Sequence, residues 1–239
     1  MTNNNTQDHK DEMIMASLNA LSGDLTVYLR ATAYLDSDHP DIRACAAQIT
    51  TGASTVLEKA VRLYYAARDE VRYDPYAFGF SGETFRASHV LAEKKAFCVP
   101  KAILLAALCR AEGIPARLGF ADVRNHLASD NLIKMMRTDV FAFHGYTDIY
   151  IDDKWVKATP AFNREMCEKF GVLPLEFNGR DDSVFHPFDK VGQQHMEYLK
   201  EYGHFADFPP EKLVEAYQQH YPHFFDGVGA ETMLRNISL

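Results

Sequence analysis

CVPKAILLAALCRAEGIPARLGFADV, residues 98–123, decides how the rest of this chain is read. Pro100 suits the first turn of a helix, where its missing N–H is not needed. Ile103, Leu104, Leu105 and Leu108, set among Ala102, Ala106 and Ala107, leave almost no polar face over 100–112. A helix apolar nearly all round belongs in a core. Gly113, with Pro115 two residues later, is the usual chemistry of a helix end. Arg117 to Val123 then reads as a strand. Cys98 stands at the mouth of this buried helix, where unpaired N–H groups and the positive end of the helix dipole favour a thiolate. Because Pro100 carries no N–H, an oxyanion hole at this end must use the amides of Cys98, Val99 or a neighbouring segment.

Downstream, DVFAFHGYTDIYI (139–151) reads as a second, longer strand, and Asp152-Asp153 as a tight turn into a return strand over Lys154 to Thr159. If the hairpin turns there, 151 pairs with 154 and 146 with 159. The period of two then puts His144, Tyr146, Asp148, Tyr150 and Thr159 on one face, with Thr159 diagonal to His144. Upstream, Ile42, Cys45, Ala46 and Ile49 form a helical stripe after Pro40, with Ser37 or Asp38 as cap. Val56, Leu57, Ala60, Val61, Tyr64, Ala67 and Val71 mark a second helix over 53–71, ending before Tyr73-Asp74-Pro75. Helical signals return over 163–170 and 211–220; 171–208 reads as aromatic and irregular. Residues 13–35 stay unassigned between strand and helix.

At this point the combination resembles the transglutaminase-like superfamily. Cysteine opens a helix that exits through GIPAR (Gly113 to Arg117), His144 stands in HGYTDIYIDDKW, and Thr159-Pro160 follows Trp155. The resemblance covers roughly residues 55–163. It implies an α+β fold of the papain-like cysteine-protease kind, with the helix of the nucleophile packed on an antiparallel sheet. It also implies a Cys-His-Asp triad, with Cys98 as nucleophile and His144 as base. One position departs from the pattern: counted from Trp155, Thr159 takes the place of the aspartate. Thr159 Oγ1 is the first candidate to orient the imidazole, by accepting from His144 Nδ1. Asp148, Asn163 and a residue of the tail such as Asp189 are the others.

The chain of 239 residues reads as a core over 55–163, a helical N-terminal extension over 1–54 and a C-terminal extension over 164–239 that packs on the core. Nearly half of its residues are apolar and the net charge is −8, with no basic block, which argues against nucleic acid or an anionic membrane as main partner. A peptide, protein or small amide substrate remains. The polar start (MTNNNTQDHKDE), the lack of a long apolar run and four scattered cysteines without a CxxC pair place the expected site of action in the cytoplasm. No cofactor is expected. The tail histidines, including His220 and His223 at helical spacing, lack matching acidic or thiol ligands, so no metal is expected either. The expected activity is therefore a thiol enzyme acting on an acyl bond as peptidase, amidase or acyl transferase. The rival reading is a binding module of the same fold without turnover.

Overall fold

The computed structural model describes residues 25–239. The part of 13–35 that precedes Leu25 and the first half of the expected N-terminal extension lie outside the described residues. A single 3-10 turn at Leu25–Tyr28 begins the description, and the segment to Leu35 is otherwise irregular. In chain order come α1 (Pro40–Ile49), α2 (Val56–Asp69), β1 (Arg72–Tyr73), α3 (Ala87–Glu93), β2 (Lys95–Ala96), α4 (Cys98–Ala111), β3 (Ala116–Asn125), α5 (Asp130–Met136), β4 (Val140–Ile151), β5 (Lys154–Ala158), α6 (Arg164–Phe170), β6 (Met196–Phe205), α7 (Pro210–His220) and α8 (Ala230–Ile237). The fold is α+β. A four-stranded antiparallel sheet of order β5-β4-β3-β6 packs against α4, with α1, α2 and α3 on the other side of that helix.

Local chemistry explains most boundaries. The cap of α1 is His39, whose Nδ1 accepts from the Asp41 N–H, rather than Ser37 or Asp38. Thr55 and Glu58 form a reciprocal capping box on α2. Every residue of α4 from Val99 to Arg110 is buried, and Gly113 leaves the helix at φ +72°. Two of those buried residues are basic, and both give their charged ends to carbonyl groups. Lys101 Nζ reaches Arg68 O in the last turn of α2 and Val71 O just beyond it. Arg110 reaches Ala116 O, Arg30 O and Ala206 O.

The β4–β5 hairpin has the expected register, Ile151 with Lys154 and Thr147 with Ala158, around a turn in which Asp152 and Asp153 both take positive φ. Gly145, Thr147 and Ile149 form the face of β4 toward α4: a Cβ on Gly145 would lie 2.9 Å from Val99 Cα, and Thr147 Oγ1 donates to Ala102 O at 2.8 Å. His144, Tyr146 and Asp148 therefore stand on the other face. The segment 171–208 differs from expectation, because Met196–Phe205 is β6, antiparallel to β3. Among the described residues no helix is long and apolar enough to cross a membrane.

Candidate active site

Cys98 opens α4. Its cap residue, Phe97, contributes no side-chain hydrogen bond, so the first N–H groups of the helix are left for the thiol. The N–H groups of Cys98, Val99 and Gly145 all act on Sγ and lower its pKa. Gly145 reaches it only because it has no side chain, since β4 presses there onto the first turn of α4. Against those donors, burial is the larger effect and pushes the thiol up to about 11. Cys98 itself is only half-buried, and the helix end and burial act on its thiol in opposite directions.

His144 follows Phe143 in β4 and is 3 % exposed. Its ring lies 4.6 Å from that of Phe185, and burial pushes its pKa down to about 3. Both shifts favour the uncharged forms, the neutral thiol and the neutral imidazole. No hydrogen bond joins the two side chains among the described residues, yet both line one cavity of about 430 Å³. Tyr73, Phe141, Phe162, Phe185 and Met196 make most of its wall apolar.

Three buried side-chain atoms have no hydrogen-bond partner among the described residues: His144 Nε2, Thr159 Oγ1 and Asp148 Oδ1. Thr159 follows directly on β5, one residue past the last β4–β5 pair, Thr147 with Ala158. Its main chain is fixed on both sides, with N–H donating to Ser183 O at 3.1 Å and C=O accepting from Tyr64 Oη at 3.1 Å. The hydroxyl stands near enough to the Tyr198 phenol to favour its ionised form, without the geometry of a hydrogen bond. The other candidates are engaged elsewhere. Asp148 Oδ2 accepts from Arg117 at 3.1 Å and lies 2.8 Å from His204 Nε2. Asn163 Oδ1 accepts the Tyr73 N–H at 3.1 Å, although the residue also lines the cavity. Asp189 Oδ1 closes a local turn on Val191 and Gln193.

Several wall residues escape sequence reading because they come from the segment taken as irregular. Phe185, His195 and Met196 line the cavity, and Tyr198 on β6 accepts the Phe185 N–H at 3.3 Å. Burial raises Tyr198 to about 12 and lowers the pKa of His195. The density of aromatic residues in 171–208 was the available signal. No group of three or more metal-ligating side chains converges among the described residues. His220 instead faces Asp122 at 3.3 Å, and a ring nitrogen of His223 meets Met135 O at 3.0 Å.

Residues 43–160 match the family model of the transglutaminase-like superfamily. No curated protein matches. Among solved structures, a "putative cysteine protease" from Cytophaga hutchinsonii is 19 % identical, with a TM-score of 0.46, over 77 % of this chain and 54 % of its own. A "putative protease" from Parabacteroides distasonis is 17 % identical, with a TM-score of 0.37, over 59 % of this chain and 26 % of its own. The chain therefore spans about half the length of the first and a quarter of the second. With the family model matched over the segment that holds Cys98, His144 and Thr159, residues 43–160 of the chain belong to the transglutaminase-like superfamily.

Proposed function

We propose that the protein is a cysteine-dependent enzyme of acyl bonds, a peptidase, amidase or acyl transferase, in which Cys98 is the nucleophile, His144 the base and Thr159 the group that orients it. The observation that carries this reading is a single apolar cavity onto which a helix-opening cysteine and a buried strand histidine both face. With both groups neutral at rest, the proton leaves Sγ as Sγ attacks the carbonyl carbon, and His144 receives it. His144 then returns the proton to the departing amine, leaving a thioester on Cys98. Water or a second amine attacks the thioester and releases the thiol. Sequence reasoning gave Nδ1 to Thr159. Because the buried nitrogen without a partner is Nε2, we assign Nε2 to Thr159 Oγ1 and Nδ1 to Cys98.

The cavity wall favours an acyl donor, peptide or small amide, with a bulky apolar group beside the scissile bond. We further propose residues 55–163 as the catalytic core, with 1–54 and 164–239 as extensions, and the cytoplasm as the place of action, in keeping with four free thiols.

Iodoacetamide labelling followed by intact mass tests the dyad. At pH 7 Cys98 is expected to react ahead of Cys45, Cys109 and Cys167, and His144→Ala to slow it on the order of a hundredfold. One observation favours the second reading, a binding module without turnover: no hydrogen bond joins Cys98 to His144 at rest. Equal labelling of all four cysteines, unchanged by His144→Ala, would leave that reading standing.

A further inference from the structure

His144 is preceded by a distortion of β4. Ala121 pairs with His144 and Val123 with Phe141, so Asp122 alone stands opposite two residues, Ala142 and Phe143. This is a β-bulge, and its second residue takes φ +59°. A positive φ in a bulky aromatic residue is a strained conformation that persists only where its surroundings enforce it, and such positions gather at functional sites.

The enforcing contacts are visible. The bulge takes two N–H groups out of the ladder, and each finds a side chain. Asp122 Oδ1 accepts from Phe143 N–H at 2.9 Å, and Tyr221 Oη accepts from Ala142 N–H at 2.6 Å while donating to Val140 O at 2.9 Å. The second oxygen of Asp122 is held from elsewhere in the molecule. It accepts from Tyr202 Oη of β6 at 3.0 Å and lies 3.3 Å from His220 Nε2 at the end of α7. The Phe143 ring is fixed as well, stacked on Phe120 at 4.1 Å and met by the edge of Tyr202 at 5.0 Å. Asp122 itself is 3 % exposed. Neither the nucleophile helix nor the β4–β5 hairpin requires a carboxylate here.

We propose that Asp122 is a positioning residue of the active site: it holds the bulge that aims His144, and through Tyr202 and His220 it makes that aim depend on β6 and α7. The inference rests on the Cys98–His144 reading. An Asp122 that only stabilised the sheet would affect Cys98 whether or not His144 were present. An Asp122 that aims His144 acts through the imidazole alone, so its effect vanishes once the imidazole is gone.

The test is the rate of iodoacetamide labelling of Cys98 across pH, read by mass, in the full chain. Asp122→Ala is expected to lower the rate by ten- to a hundredfold, as a small misplacement of a catalytic group does, and to give a pH profile like that of His144→Ala. In the double variant, Asp122→Ala adds nothing to His144→Ala. Asp122→Asn keeps an acceptor for the Phe143 N–H and recovers part of the lost rate. Should Asp122→Ala fail to fold, Tyr202→Phe with His220→Leu keeps the ring at 202 and apolar bulk at 220 and removes the outer contacts to the carboxylate. It is expected to slow labelling severalfold, and only where His144 is present. A parental profile in these variants, or additive losses with His144→Ala, overturns the proposal while the dyad stands. If His144→Ala itself leaves labelling unchanged, the dyad fails and the proposal falls with it.

Discussion

Burial drives Cys98 and His144 in opposite directions, the thiol up to about 11 and the imidazole down to about 3, and both shifts favour the uncharged form. In the proposed mechanism, transfer of one proton between them makes two opposite charges that attract, so neutral partners serve as nucleophile and base. That transfer needs the imidazole held from behind, the role proposed for Thr159 Oγ1, a buried acceptor without a partner among the described residues. Thr159→Val keeps the shape and removes the acceptor. Labelling of Cys98 is then expected to slow about tenfold, the equivalent of one hydrogen bond. Thr159→Asp is expected to match or exceed the parent, because a carboxylate also stabilises the imidazolium. Rates in the reverse order would move the orienting role away from position 159. The places of Cys98 at a helix start and His144 in a strand were legible because helix ends and strand periods are local. Tyr198 and Phe185 were not, because their nearness to Thr159 and His144 depends on pairing across more than 20 residues of chain.

Among the elements, α4 was the most readable, since an unbroken apolar run between Pro100 and Gly113 has few other folds open to it. What it hid was the use of its one buried lysine. Lys101 Nζ donates to Arg68 O and Val71 O, and burial lowers its pKa to about 7. A neutral amine has two N–H donors for those two carbonyls. The folded pKa lies below the unfolded value of 10.5, so the unfolded chain binds more protons between these limits. The contribution of Lys101 to stability is therefore full above the unfolded value and is lost as pH falls toward 7. Lys101→Met keeps the volume but strands two carbonyls, at a cost of about 1–3 kcal/mol. Urea titrations of parent and variant are expected to diverge as pH rises from 7 to 10; curves separated by a constant amount would mean that Lys101 stays charged in the fold. The strand β6 escaped notice for a different reason: the ladder shifts register twice along β3, and Gly203 takes φ +89°, so no run of alternating residues marks it.

The chain is closed upon itself by single side chains that reach far along the sequence. Arg110 joins the carbonyls of Arg30, Ala116 and Ala206, tying the segment before α1 and the segment after β6 to the end of α4. Arg110→Met is expected to destabilise the fold by roughly 2–3 kcal/mol through the carbonyls left without donors. Hydrogen exchange at 29–31 and 205–209 should rise ahead of exchange in β3 and β4. Uniform protection across the chain would show that the two segments are held by other means. Up to this level, short-range chemistry was enough: apolar periodicity, Gly113 with Pro115, and the Asp152-Asp153 turn specify α4 and the hairpin, and with them the places of Cys98 and His144. Three features were settled only when distant segments met. Burial by the packed chain pushes the Cys98 thiol up, against the helix end that the sequence shows. The cavity wall includes Phe185 and Met196 because the chain after α6 returns to the sheet. The bulge before His144 is held because Asp122 and Tyr221, from separate elements, bring acceptors to its two stranded N–H donors, and Tyr202 from a third holds Asp122. Desolvation and long-range pairing are properties of the packed chain, and no window of sequence contains them.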